Sequence, residues 1–488
     1  MGRVRDPQSP AASVSAMSAL HDLTALEAAA AVRRREVSPV ELVDHALDRI
    51  DRLDGQLGAF VTITDESARA QAKAYEREVL NAAGPLPPLF GVPTAIKDLN
   101  LTKGVPTKFG SKVFADFVPD LDDHIVELLR AAGTISLGKT ATPEFGLPAY
   151  TETDIGPPTR NPWDVTLLSG GSSGGAAAAV AAGLVPLAQG SDGGGSIRIP
   201  ASACGLVGLK PARGRVSKGP LDIDSSRLAV YGGLARTVRD AAAFLDAVAV
   251  PQPGDPDPLP PPAESFLSAC DRDPGRLRIG RFIDPPIEAE IDPQVRDAWE
   301  QASRLLESLG HEVVDIDSPV PATAVPAFET VWSVSAHIAP VDPAREPELR
   351  PLTRHLRMRG AKVSGVEYAR AVGTLTVLSR QAITVTSHLD AVLTPTLAML
   401  PRPVGWFDGG GDPAADFERQ KRYTPFTAVV NATGQPAISL PLYQSREDLP
   451  IGIMLIGRPA AEATLLTLGS QLEAAAPWRD RHPAIWTA

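Results

Sequence analysis

The pattern of apolar and polar positions predicts helices and strands in alternation. From about Leu20 two helices are expected. The second opens on Ser38, Pro39 and Glu41, which supply an N-cap, a first-turn proline and a capping box, and it should run to about Leu53. An Ala/Glu/Lys-rich stretch predicts a helix over 65–83 that ends in the loop GPLPPL. FGVPTAIKDLN then reads as a strand running into a loop, with Lys97 at the strand end. HIVELLRAAG and TISLGKT follow as helix and strand, the α/β manner of alternation. Further on, LRIGRF, a helix over 293–309 and HEVVDID make a β-α-β pattern. TPFTAVVNATGQPAISLPLY and PIGIMLIG predict two strands with their connection, followed by a helix over 461–475. No internal repeat is evident.

Between Gly170 and Gly219 the pattern gives way to Gly, Ser and Ala. The piece Ala176 to Ala182 is apolar on every side, which predicts a short helix buried in the middle of the protein. The glycine clusters on either side allow backbone to approach backbone or substrate closely. The run PQPGDPDPLPPP, Pro251 to Pro262, suits neither a ladder nor a helix interior and predicts a surface connection, a place where a domain boundary can fall.

Composition narrows the partners. Of 488 residues, 43% are hydrophobic and 22% charged, enough for a sizeable core. With 47 Lys+Arg against 58 Asp+Glu the net charge is −11, and no Lys/Arg cluster stands out, which argues against nucleic acid as a partner. The two cysteines, Cys204 and Cys270, build neither a disulfide framework nor a four-cysteine metal site and fit a reducing, cytoplasmic setting. The eight histidines are scattered singly, without the pairing a zinc ion needs, so no metal is expected. The longest apolar candidate, Ala176 to Leu187, is broken by Gly183 and Pro186, so no membrane span is expected. Residues 1–19 have no apolar stretch long enough for a signal-peptide core and read as a flexible extension.

Several chemistries compete for the Gly-rich region. GGSSGG before a helix is like an anion-binding loop, but the Gly-Lys-Ser/Thr ending of a phosphate loop is absent. GSDGGGS does not space its glycines as a dinucleotide fingerprint does. A Ser-His-Asp triad has an overlapping G-x-S-x-G match at GSSGG, yet no histidine lies between His124 and His311. The remaining reading uses a lysine as base, with Lys97, Ser172 and Ser196 spaced 75 and 24 positions apart. A lone lysine at a strand end is usually solvated, and Ser-Ser in a Gly-rich loop is usually a turn.

GVPTAIKD around Lys97, GGSSGGAAAAVAAG around Ser172 and GSDGGGSIRIPASACGLVGLKPARGRVS around Ser196, together with RNPW at Arg160 to Trp163 and NATGQPAISLP at Asn431 to Pro441, closely resemble the amidase signature family over almost everything after residue 20. The resemblance implies a single α/β/α domain over 20–488 with a large mixed sheet flanked by helices. It also implies a catalytic triad of Lys97, Ser172 and Ser196, with Ser172 in a cis peptide, and no cofactor. The backbone N–H groups of Gly193, Gly194, Gly195 and Ser196 match the family's oxyanion loop, and Asp192 and Arg198 its supporting ion pair. Ser191, Gly193 and Ala212 stand where many members have threonine. Of these, Gly193 is expected to reshape the pocket beside the oxyanion loop.

Neutral lysine can serve as the base for serine only if it is desolvated. Bringing the amine from about 10.4 to about 8 costs roughly 3 kcal/mol, which burial can supply. The implied activity is hydrolysis of linear or cyclic amide C–N bonds, with esters or carbamates (a urethanase activity) as extensions, and the motifs resemble the hydrolytic branch represented by 6-aminohexanoate-cyclic-dimer hydrolases more than a transfer subunit. The alternative is the glutamine-hydrolysing subunit of a tRNA-dependent amidotransferase. The partner expected is a small amide, bound by a monomer or homodimer. Pocket walls are expected from Glu144 to Asp154 and around Trp332 to Arg359, with Leu147, Pro148, Tyr150, Phe328 and Trp332 hinting at an apolar lining. Glu144 and Arg160 are the nearest candidates for holding the two charges of a glutamine.

Overall fold

The computed structural model describes residues 19–81, 84–222 and 225–488. The N-terminal extension lies, apart from Ala19, outside the described residues. Local signals give the helices their starts. Ser38 Oγ accepts from Glu41 N at 3.1 Å while Glu41 accepts from Ser38 N at 2.8 Å, and the helix Pro39–Leu57 runs four residues past the expected end, to a left-handed Gly58. The expected helix over 65–83 is Asp65–Asn81, its last two positions falling outside the described residues.

Eight strands form the larger sheet, in the order Glu312–Asp315, Arg278–Arg281, Ala391–Pro395, Pro450–Gly457, Ala437–Gln444, Val207–Lys210, Val230–Ala235 and Leu187–Asp192. The first three run parallel and every later pair antiparallel, so the sheet is mixed, as the α/β/α expectation requires. Strands from both sides of the proline run enter this sheet, so Pro251 to Pro262 connects elements of one layer. Helices Val238–Val248, Pro293–Ser308 and Glu462–Ala475 share one apolar cluster with it, and the Gly174–Ala181 helix anchors a second. Among the described residues no helix is long and apolar enough to cross a membrane.

A smaller sheet orders Phe60–Ile63, Ile135–Thr140 and Pro93–Lys97. Its Pro93–Lys97 strand lies against the outer strand of the large sheet: Thr94 Oγ1 donates to Leu187 O at 3.2 Å and Lys97 N to Gln189 Oε1 at 2.9 Å. The Gly174–Ala181 helix is buried on every side and starts two residues before the expected alanine run. The two strands expected near the end are Ala437–Gln444 and Pro450–Gly457, but the first part of TPFTAVVNATGQPAISLPLY is a helix, Ala428–Thr433, rather than strand. The paired valines suggest a strand, but Asn431 is drawn into the buried polar network described below and Gly434, left-handed, stops the turn.

Candidate active site

Lys97 ends its strand fully buried, with Nζ 2.8 Å from Ser172 Oγ, 2.9 Å from Ser173 Oγ and 3.0 Å from Ser191 Oγ. Burial pushes the amine down to about 7, against the opposing pull of the Asp192 carboxylate. Its hydrogen-bond partners are all hydroxyls, so nothing there demands a full positive charge. Ser173 Oγ donates to Ser191 O at 3.1 Å and can therefore only accept from Nζ. A neutral amine offers two N–H groups and one lone pair. With Ser173 as an acceptor, the lone pair is left for a hydroxyl such as Ser172 to donate into.

Ser172 follows Gly171 through a cis peptide bond and is buried at the mouth of the Gly174–Ala181 helix. Ser173 N donates to Ser196 O at 3.1 Å, which fastens the serine pair to the glycine loop. Ser196 sits just before the helix Arg198–Cys204, only 6% exposed, and lines an apolar cleft. The structure thus brings Lys97 and Ser172 into direct contact and ties Ser196 to them through the backbone.

The loop between is held by a buried polar network. Arg198 Nε and Nη2 grip Asp192 at 3.0 and 2.9 Å, both side chains fully buried. Burial alone would raise the Asp192 carboxyl, but the Arg198 guanidinium holds it well below the usual carboxylate range. Asp192 also takes Gly195 N–H at 2.7 Å and Ile197 N–H at 3.1 Å. Of the four candidate oxyanion donors, Gly195 N–H therefore shapes the loop in this structure. Gly195 has φ +130°, and a Cβ there would lie 2.4 Å from Thr427 Oγ1, so this position needs glycine. Sequence reasoning left Asn431 and Thr427 without roles. Asn431 Nδ2 donates to Asp192 O at 2.8 Å, Asn431 Oδ1 accepts from Arg198 Nη2 at 2.7 Å, and Thr427 Oγ1 donates to Gly194 O at 2.6 Å. Asn431 lies inside the NATGQPAISLP motif, which is the sequence signal for its role. Ser173 and Ser191, the other two hydroxyls on Lys97, were also unassigned.

The cleft above Ser196 is lined by Leu147, Pro148, Phe328 and Trp332, as expected from the sequence. Tyr150 is not part of it. Its ring stacks on Phe407 with centroids 4.6 Å apart and its hydroxyl donates to Asp416 at 2.7 Å, which makes it core. Glu144 and Arg160 do not line the cleft either. Glu144 accepts from Ser111 Oγ at 2.7 Å and Arg350 N at 2.8 Å, tying two distant segments together, and Arg160 donates to Val165 O at 2.7 Å within the hairpin of strands Arg160–Asn161 and Asp164–Leu168. The charged pair that does reach the cleft is Glu329 with Lys421. These two are bonded to each other, and each has a further partner, Arg359 on Glu329 and Glu418 on Lys421.

A large mixed sheet flanked by helices is the fold of the amidase signature enzymes. The solved structure of 6-aminohexanoate cyclic dimer hydrolase superposes with TM-score 0.89 at 31% identity, covering 96% of this chain and 100% of that one. The Amidase family model matches residues 41–466, and the chain belongs to the amidase family, enzymes that hydrolyse carbon–nitrogen bonds. A protein of Synechocystis sp. (strain ATCC 27184 / PCC 6803 / Kazusa), provisionally named an amidase, is 37% identical over 456 residues, 92% of this chain and 88% of that protein. A glutamyl-tRNA(Gln) amidotransferase subunit from Geobacter metallireducens is 34% identical over 492 residues, 96% of this chain and 100% of that protein.

Proposed function

We propose that this chain hydrolyses uncharged amides with apolar acyl groups through a covalent acyl-enzyme on Ser196. The observation that carries this is the placement of a desolvated lysine, lowered to about 7, in contact with Ser172 beside the Ser196 loop. Neutral Lys97 takes the Ser172 proton as Ser172 takes that of Ser196. The Ser196 oxygen then bonds to the carbonyl carbon, and the C=O electron pair moves onto oxygen. Backbone N–H groups of the loop receive that charge, with Gly193, Gly194 and Ser196 the donors and Gly195 holding the loop through Asp192. As C=O re-forms, the C–N bond breaks, Ser172 hands a proton to the departing amine, and Lys97 returns its proton to Ser172 across their 2.8 Å contact, which leaves the lysine neutral again. Water repeats the attack on the ester and releases the acid.

The glutamine-hydrolysing alternative needs a site for both an α-ammonium and an α-carboxylate. The charges that border the cleft, Glu329 and Lys421, already neutralise each other, and separating them in a part-buried setting is costly. Apart from Ser196, Gln420 and Thr424 the rest of the wall is apolar, which favours a neutral acyl group. The test is a hydrolysis assay with butyramide and glutamine on the purified chain, paired with a sulfonyl fluoride and mass spectrometry. Expected are an adduct on Ser196, no turnover by Ser196→Ala with the fold retained, and butyramide preferred to glutamine. Full activity in Ser196→Ala overturns the mechanism, and glutamine preferred to every neutral amide supports the alternative.

A further inference from the structure

Phe328 and Trp332 lie four positions apart on the helix Ala324–Ile338 and so share one face, their rings stacked at 5.5 Å and 18°. That face rests on the glycine loop. A Cβ at Gly193 would meet Trp332 Cη2 and Cζ3 at 3.4 Å, and one at Gly194 would meet Phe328 Cζ at 3.7 Å. Two bare backbone units therefore let two rings come within van der Waals reach of the loop that would hold the reacting carbonyl. The same cleft is lined by aliphatic Leu147, Pro148, Ile199 and Val429, with Gln420 and Thr424 among its uncharged polar side chains. The Glu329–Lys421 pair, tied to Arg359 and Glu418, adds no net charge.

The half of the substrate that enters this cleft follows from where the proton must go. The leaving amine takes its proton from Ser172, and Ser172 does not line the cleft, whereas Ser196, which keeps the acyl group, does. Ser172 Oγ faces Gly146 instead, where a Cβ would lie 3.2 Å away. The cleft is therefore the acyl site.

Resting on the acyl-enzyme reading above, we propose that Trp332 and Phe328 are the specificity-determining wall of this acyl site, and that it selects an uncharged acyl group ending in an aryl ring. The ring slots between the indole and the aliphatic wall, with the carbonyl held over the Gly193–Gly194 backbone. Gly193 is part of the device. An alanine Cβ would just reach contact with Trp332, while a branched threonine would press on the indole and displace it.

The test compares kcat/KM of the purified full chain for 4-phenylbutyramide and butyramide. The wild type should favour the phenyl substrate by about tenfold or more, and Trp332→Ala and Phe328→Leu should each erase most of that ratio, with the loss carried by KM more than kcat. Trp332→Phe, which keeps a ring, should restore part of it, and Gly193→Thr should lower the ratio further than Gly193→Ala. Equal efficiency of the wild type on both amides overturns the wall, and that measurement needs no variant. So does a wild-type ratio in Trp332→Ala and Phe328→Leu, or an aryl preference that follows the amine half, with acetanilide outrunning 4-phenylbutyramide. Failure of the underlying reading looks different: no amide is turned over and no sulfonyl adduct forms on Ser196.

Discussion

Lys97 and Lys139 sit on adjacent parallel strands of the small sheet, where Lys139 pairs with Ile96 and Lys97 with Thr140. Both are buried, and burial lowers both amines, Lys97 to about 7 and Lys139 to about 8. Their partners differ in kind. Lys139 Nζ donates to Asn100 O at 2.6 Å and Thr107 Oγ1 at 2.8 Å, with Asp98 Oδ1 3.7 Å away. Lys97 faces three hydroxyls, and the carboxylate that acts on it, Asp192, is already bound by Arg198. Burial makes a lysine cheap to deprotonate; the partners decide what it does next. A carbonyl and a carboxylate can only accept, and the Thr107 hydroxyl directs its own proton to Val105 O, so they keep Lys139 a donor, whereas the Ser172 hydroxyl can give a proton back. On the mechanism proposed above, one lysine is a brace and the other a base.

That contrast is most exposed to direct substitution. Lys97→Ala should lower kcat by about three orders of magnitude, as expected for removal of a general base, while urea unfolding shows little loss of stability. Lys139→Met should do the reverse, costing about 3 kcal/mol of stability by stranding buried acceptors and Asp98, with kcat in the folded population within a few-fold of wild type. Comparable kinetic damage from both variants would erase the distinction.

The next effect is on pH. The base must be neutral, so kcat/KM should rise tenfold per pH unit below about 7 and flatten above it, following the lowered Lys97 amine. Lys139→Met should leave the midpoint in place. A midpoint that moves or disappears with Lys139 would assign the titration to the wrong lysine.

Much of this was legible in the sequence, and what was not has physical causes. The Lys97, Ser172 and Ser196 segments carry long local motifs, and the capping box at Ser38 writes its helix start in four residues. The cleft is another matter. Its roof comes from helices whose apolar faces look like ordinary core, and its ion pair joins Glu329 to Lys421, 92 positions apart, a pairing that only tertiary packing creates. Tyr150 was drawn into the expected pocket by residue type alone, although its hydroxyl is spent on Asp416. Glu144 and Arg160 were nominated by charge, which says nothing of which way a side chain faces. The Ala428–Thr433 helix does not show in its valines, and the hydrogen bond that anchors it, from Asn431 to a residue 239 positions earlier, exists only in the folded chain.

The smallest effect tests whether the hydroxyl shell, rather than burial alone, sets Lys97 apart from Lys139. Ser191 Oγ is the one of the three hydroxyls on Nζ that stands on neither the serine turn nor the attacking loop; it projects from the edge strand, opposite Tyr231. Ser191→Ala removes a hydrogen bond worth about 1 kcal/mol, so the plateau rate should fall by about fivefold. The pH midpoint should also move down, because a hydroxyl that accepts from the ammonium favours the charged form and its loss leaves burial less opposed. Ser191→Thr keeps the oxygen and should restore both rate and midpoint. If alanine changes neither, Ser191 is packing, and the difference between the two lysines narrows to Ser172 and Ser173.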